Sequence, residues 1–225
     1  MSNTLAVATV TEALRQLIAQ SLAPDIPFAV DVAARKPPTN PPIDPTITVF
    51  LYQVTPNASL RNSDAPTRAA DGTVLTRPAA ALDLHYLISF YGEEAELVPQ
   101  RLLGCVVRTL HENPVLPRAL IETAAEQSYL QGSDLASATQ RVRFTPTALD
   151  IDDTSKLWGM LYQNQTPYAL SLIYQGIAVL VEGRSQPVAG RPVRTRTVRA
   201  VPSVPAVAGA PAVAPRPATG RTDQG

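Results

Sequence analysis

Residues 80–92 read AALDLHYLISFYG, and they give the clearest strand pattern in the chain. Large apolar side chains recur there at every second position, which is the spacing of one face of a β-strand. Gly92 stops the run, and a helical spacing follows it. The stretch therefore predicts a strand with one apolar face, formed by Leu82, Leu84, Tyr86, Ile88 and Phe90.

Four further stretches predict strands. TITVFLYQV (46–54) and PYALSLIYQGIAVLVEG (167–183) are apolar on both faces, which is typical of strands covered on both sides. The longer one, 167–183, is therefore expected at the centre of the sheet. FAVDVAAR (28–35) alternates, and RVRFTPTAL (141–149) predicts a strand that its proline keeps short or at an edge.

Apolar residues at three-to-four spacing predict helices over 4–22, 93–113 and about 116–127. Acidic residues at the start of the second helix favour the macrodipole, whereas Pro99 indicates either a kink or a helix that begins there. A fourth helix is expected from Asp150, which stands as an N-cap with Asp153 three residues later.

This order of elements indicates an α/β (α+β) protein. The most economical arrangement is a single domain, residues 1–183, in which helices flank a mixed β-sheet of about four to five strands. Residues 36–45 contain five prolines and predict a stiff connector. Residues 55–78 are polar and predict a long loop, and loops of that length are usually functional or mobile.

Charge divides the chain into an acidic body and a basic tail. Residues 1–183 contain 12 Lys and Arg against 18 Asp and Glu, whereas residues 184–225 contain 7 Arg and one acid, Asp223. The tail also contains 7 Pro, 8 Ala and 7 Val without an aromatic residue, so we expect it to be disordered. The arginines of the tail could bind phosphates, but no aromatic side chains accompany them to stack on bases. We therefore favour a tail that serves as a linker, or as an arm that docks on an acidic protein surface, over one that binds nucleic acid.

Cys105 is the single cysteine, so no intramolecular disulfide forms. The N-terminus lacks an early positive charge and a continuous apolar run, and no apolar stretch reaches the length of a membrane span. We therefore expect a soluble protein that folds in the cytoplasm and has no membrane partner.

Asp83, His85 and Ser89 share one strand face and suggest a catalytic set. His85 and Ser89 would lie ~13 Å apart along the strand, beyond the reach that a nucleophile and its base require. We interpret them as a half-exposed strand face, with His85 paired to Asp83 or to a neighbouring strand. The protein is not expected to be an enzyme.

Metal and cofactor sites are not expected either. The chain has two histidines and one cysteine, without a zinc-ligand spacing or a glycine-rich phosphate loop. Asp150, Asp152 and Asp153 could hold a hard cation, but capping and dipole complement explain three acids at a helix start more simply.

Four stretches together resemble a known family. They are LYQVTPNASLRN (51–62), LDLHYLISFYG (82–92), RVRFTPTALDIDDTSKLW (141–158) and TPYALSLIYQGIAVLVEG (166–183). In order and spacing they are similar to the N-terminal domain of the tail-cap, or terminator, proteins of extracellular contractile injection systems, which are phage-tail-like particles. The resemblance covers nearly all of residues 5–183. Some relatives continue into a second folded domain, where this chain has its tail.

The resemblance implies a structural cap that ends polymerisation of the inner tube and sheath at the end distal to the baseplate. It implies a homo-oligomeric ring, a hexamer, with tube and sheath proteins as partners, and no catalytic residue or cofactor. Assembly would take place in the cytoplasm as part of the particle. The alternative function is a binding adaptor whose basic tail recruits nucleic acid or an acidic protein.

The segment after residue 54 is the candidate interface. Pro56 and Asn57 would turn the chain out of the sheet, so that Leu60 and Arg61 anchor against a partner subunit. Asn57, Leu60, Arg61 and Asn62 are therefore predicted as interface residues. In the competing interpretation, Leu60 folds back onto the core of its own domain and Arg61 bridges to a carboxylate there.

Overall fold

The computed structural model describes residues 3–60 and 78–183, and between them only the backbone of 67–68 and 74–76. The chain divides into two units, residues 1–190 and residues 191–225. The tail predicted to be disordered, 184–225, lies outside the described residues, as do Arg61 and Asn62. The fold below is therefore that of the first unit.

Helices and strands follow each other in the predicted order, with one added hairpin. The helices are α1 (Ala6–Ser21), α2 (Val98–Glu112), α3 (Arg118–Ala125) and α4 (Ile151–Gln163). The strands are β1 (Asp31–Ala33), β2 (Thr46–Pro56), β3 (Thr67–Arg68), β4 (Val74–Thr76), β5 (Ala79–Tyr91), β6 (Arg143–Pro146) and β7 (Ser171–Glu182). The β3–β4 hairpin lies within 55–78, where the polar, turn-rich sequence predicts only a loop.

Five strands form one mixed sheet in the order β1-β2-β5-β7-β6. β1 and β2 are parallel, and the other neighbours are antiparallel. The prediction of a mixed sheet of four to five strands is confirmed. β6 is a four-residue edge strand that ends at Pro146, as its proline predicts.

Two strand predictions need correction. β5 occupies the centre of the sheet, and β7 lies one place from the edge between β5 and β6. Both are interior strands, although most of β7 is only partly buried, so an apolar pattern does not show which of the two is central. The strand predicted over 28–35 pairs only from Asp31 to Ala33, whereas Phe28 and Val30 pack on the core outside the strand.

The start of α2 resolves the question about Pro99. The helix begins at Val98, so Pro99 lies in the first turn, where its missing N–H is not needed. The acids predicted for the first turn instead precede the helix. Gly92 makes the bend before them with φ +148°, and a Cβ there would lie 2.5 Å from Cγ1 of Val98.

The two faces of the sheet are covered differently. α1, α2 and α3 cover one face and bury the main core, to which β5 contributes Leu84, Tyr86, Ile88 and Phe90. Cys105 of α2 is buried, and burial raises the pKa of its thiol. Among the described helices, α4 packs on part of the other face, where its Leu157 and Trp158 form a small cluster with Leu87, Tyr91 and Ala169. Among the described residues, no helix has the length and apolarity needed to cross a membrane.

Candidate protein interface

The chain leaves the sheet after Pro56 through a turn built on Asn57. The Asn57 N–H donates to the Ala81 carbonyl at 2.9 Å, which continues the pairing of β2 with β5 by one residue. The Asn57 Oδ1 then accepts from the backbone N–H of Ser59 at 3.1 Å and of Leu60 at 2.9 Å. One amide oxygen therefore reverses the chain, as an Asx-turn does.

Asp83 ties this turn to the sheet. Its Oδ1 accepts from Asn57 Nδ2 at 2.8 Å and from the Ala178 N–H at 3.1 Å, and its Oδ2 accepts from Gln175 Nε2 at 3.1 Å. The pairing of β5 with β7 shifts register between Leu82 and Leu84, opposite Ala178, which has φ 65°. A buried carboxylate thus accepts a hydrogen bond from the backbone N–H at the bulge in β7 and also holds the turn after β2.

The predicted interface residues take different positions in this arrangement. Asn57 is only 5% exposed and its amide group bonds within the domain, so it can act on a partner only by positioning the turn. Leu60 lies half-buried at the end of the turn. Arg61 and Asn62 lie outside the described residues, so the contact assigned to these four residues stays a prediction.

Asp83, His85 and Ser89 are not brought together. His85 Nε2 lies 2.9 Å from Thr55 Oγ1 on β2, and Ser89 Oγ accepts from Ser171 Oγ at 2.9 Å on β7. His85 therefore pairs with a neighbouring strand, one of the two predicted partners, and burial lowers its pKa although the Asp83 carboxylate opposes this. The expectation of a half-exposed face is wrong at Asp83 and Ser89, which are both buried beneath neighbouring groups.

The three acids at residues 150–153 cap a helix, as predicted. Asp150 Oδ1 accepts from the Asp153 N–H at 2.7 Å, and the side chain of Asp153 pairs with Lys156 at 3.3 Å. Asp152 lies in the same first turn. Within the described part of the chain, no group of three or more His, Cys, Asp or Glu side chains is arranged to hold a metal ion.

Four exposed apolar side chains lie on α4 and in the loop after it, and we call them together the α4 surface: Ile151, Met160, Tyr162 and Tyr168. These are four of the ten large hydrophobic side chains found exposed among the described residues. Ile151 is 85% exposed and Tyr162 is 74% exposed, so neither contributes to the cluster beneath the helix. The Tyr168 ring lies 4.9 Å from that of Trp158, which links this surface to the small core.

A cavity of about 470 Å³ opens beside the α4 surface, between the helix and the end of β2. Tyr52, Leu149 and Met160 contribute apolar groups to its lining, and Lys156 and Asp153 contribute charges. The sequence patterns described above do not predict this surface. The available signal was the pattern of 150–162, where apolar residues occur on more of the helix than one covered face requires.

The protein is an α/β domain built around a five-stranded mixed sheet, and it exposes apolar side chains of the kind that contact other proteins. The profile of the Pvc16 N-terminal domain family matches residues 9–195. The chain therefore belongs to the Pvc16 N-terminal domain family, which confirms the resemblance identified from the sequence.

Two solved structures have a similar fold. One is the sheath/tube terminator, in the extended state, of the extracellular contractile injection system PVC, with TM-score 0.55 and 16% identity; the match covers 91% of this chain and 66% of that one. The other is the tube-terminating cap of the anti-feeding prophage, with TM-score 0.55 and 18% identity, over 85% of this chain and 60% of that one. This chain thus spans less than two thirds of the length of either structure. No curated protein matches it.

Proposed function

We propose that this protein is a terminator cap of a contractile injection system. It forms a ring, a hexamer, at the baseplate-distal end of the tube and sheath, and it ends their polymerisation there. The observation that carries the proposal is membership of the Pvc16 N-terminal domain family over residues 9–195, together with the fold shared with two tube-terminating proteins.

The geometry supports a role in binding rather than in catalysis. The titratable side chains on the central strand bond to separate partners, and the acids of 150–153 form a helix cap. A ring subunit must contact its neighbours and the polymer beneath it, and exposed apolar side chains provide the area for such contacts. The α4 surface and the turn at Leu60 are the described regions that fit this requirement. Assembly in the cytoplasm, as part of the particle, belongs to the same proposal.

The length of the assembled tubes tests this function. Particles made without the protein should have tubes of uncontrolled length or low stability by negative-stain electron microscopy, and the wild-type chain should restore a narrow length distribution. Unchanged tube lengths in its absence would refute the proposal.

Deleting residues 184–225 separates the cap from the adaptor alternative. A cap whose contacts lie in residues 1–183 should still restore tube length without the tail. Salt-sensitive recruitment of a polyanion that vanishes with the tail, combined with unaltered tubes in cells that lack the protein, would favour the adaptor.

The paired variants Leu60→Ala and Arg61→Ala test the predicted interface. An anchor at the partner subunit predicts weaker ring assembly with little change in the melting temperature of the isolated chain. Rings that assemble as wild type, combined with a lower melting temperature, would instead place Leu60 on the core of its own domain. Ser59→Ala offers a matched control, because this neighbouring exposed side chain has no predicted contact.

A further inference from the structure

Part of β2 has a strand partner on one side only. β1 ends at Ala33 opposite Thr48, whereas β2 continues along β5 as far as Pro56. The chain leaves the sheet after β1 through Pro37 and Pro38, and prolines cannot donate to a ladder. In the portion of the chain that the structure describes, β2 is therefore unpaired on its outer side from residue 49 onward; residues 49–54 are called the open edge.

On the open edge the N–H and C=O groups of alternate residues face outward, and the pairing of β2 with β5 shifts register between Leu51 and Gln53. The Phe90 N–H donates to the Leu170 carbonyl at 3.0 Å, so at this position β5 bonds toward β7. Phe90 lies opposite Ile47, and antiparallel pairing alternates the direction of these groups. Ile47 consequently faces β1, and Val49 and Leu51 face the same side, where β1 no longer continues. An edge of this kind is a template for an added strand.

A groove of about 800 Å³ runs along the open edge. Val49 to Leu51 form one wall, and the N-terminal half of α1, with Val7 and Ala8, forms the other. Val7 and Leu51 are partly buried against the main core, whereas Ala8 is exposed. A strand paired with the open edge would therefore point every second side chain into an apolar wall, as added strands do when they gain specificity from alternate pockets.

The charges at the groove favour an acidic occupant. The Glu12 carboxylate is already bound by Arg15, at 2.6 and 2.9 Å, and by Gln16 at 2.9 Å. Arg35 pairs with Asp31 at 3.5 Å, and Lys36 has no ion pair among the described residues. One positive charge thus lacks a partner where β1 leaves the sheet. The chain's own tail, with 7 Arg and a single acid, has the wrong sign for this site.

We propose that the open edge binds an extended segment of a different protein by β-sheet addition. The segment has apolar or β-branched residues at alternate positions, which enter the groove, and a carboxylate at the end that meets Lys36. This inference rests on the proposed function only where it expects such a segment in a tube or sheath protein. If the proposed function is wrong, the open edge is still expected to bind a segment of this kind.

The direct test uses the full chain and two synthetic peptides. Each is a nine-residue peptide in which Val and Thr alternate, with two Glu residues at one end in the first and two Lys in the second. Hydrogen–deuterium exchange should show protection of residues 49–54 with the acidic peptide at concentrations up to about 1 mM, and at least tenfold weaker binding of the basic one.

Three variants locate the contact. Ala8→Trp fills the groove from an exposed position, so the folded variant should lose at least tenfold in affinity for the acidic peptide. Lys36→Glu should reverse the preference between the two peptides. Lys156→Glu is the matched control, since it makes the same change on α4 and should bind as wild type.

Several results would overturn the proposal. Absence of protection at residues 49–54 with saturating acidic peptide would do so, as would wild-type binding by Ala8→Trp. Protection in the free chain that disappears when 184–225 is deleted would assign the edge to the tail, and protection that rises with chain concentration alone would assign it to a second copy. Normal control of tube length with residues 49–54 unprotected in the particle would refute this inference while leaving the cap function intact.

Discussion

The two faces of the central sheet differ in how completely they are covered. On one face three helices bury an extensive core, and the side chains that β5 sends there, from Leu84 to Phe90, are almost inaccessible. On the other face one described helix packs two of its own side chains, Leu157 and Trp158, against three buried ones, and it leaves Ile151, Met160 and Tyr162 exposed.

The two faces are expected to have different roles, one in the stability of the domain and the other in binding. Burial of apolar area is the main favourable term in folding, so the three-helix face should contribute most of the free energy of unfolding. The α4 face retains apolar groups in solvent, and such groups gain free energy only when another surface covers them. Substitutions on the first face should therefore unfold the domain, whereas those on the α4 surface should alter its assembly.

The largest effect is expected for Phe90→Ala on the three-helix face. The ring is fully buried, and removing it leaves a cavity that close packing cannot readily fill, which typically costs about 3–5 kcal/mol. Urea denaturation of the purified chain measures this loss. A cost below about 1 kcal/mol would show that this face does not dominate stability.

Asp83→Ala should have the next largest effect, because this buried carboxylate accepts three hydrogen bonds. The change leaves Asn57 Nδ2, Gln175 Nε2 and the Ala178 N–H without their acceptor, at a cost of about 2–4 kcal/mol. Denaturation midpoints for Asp83→Ala, Asn57→Ala and the double variant should be non-additive. Strictly additive changes in the free energy of unfolding would contradict an interaction between Asn57 and Asp83.

Asp150→Ala should cost about 1 kcal/mol, since it removes the N-cap bond that begins α4. Asp152→Asn is the matched control in the same first turn, where no capping bond is lost, and it should change stability by no more than about 0.5 kcal/mol. Thermal denaturation compares the pair. Equal effects would show that charge near the helix start, rather than the cap, sets the stability of α4.

The combined substitution Met160→Ser and Tyr162→Ser should change the free energy of unfolding by about 0.5 kcal/mol or less, because both side chains are exposed. It should instead weaken assembly of the ring or its binding to tube and sheath proteins. Size-exclusion chromatography of the variant alone and with those proteins measures this. Assembly equal to that of the wild type would show that the α4 surface does not contribute to binding.

Much of the fold could be predicted because local sequence and tertiary structure agree. The alternation in 80–92, the edge position enforced by Pro146 and the cap at Asp150 each follow from a single residue pattern. The order of interior strands could not be predicted in this way, since apolar residues in a strand indicate burial and do not identify its neighbouring strands. The β3–β4 hairpin was missed because its residues lack a strand period.

The candidate site could be predicted only in part. The turn at Asn57 follows from its proline and asparagine, but its partner Asp83 lies 26 residues further along the chain, and no local pattern pairs them. The α4 surface and the open edge of β2 depend on which elements pack over which, and that is a property of the assembled sheet. Sequence periodicity shows that a side chain is apolar and leaves open whether another element covers it.

The mass of the purified protein, measured alone and with its tube protein, shows most clearly whether the chain forms a ring. Native mass spectrometry or mass photometry should show a discrete closed oligomer, six copies in the proposed ring, which remains intact when it binds the tube protein. A chain that stays monomeric in both samples would contradict the proposal that this domain caps a tube.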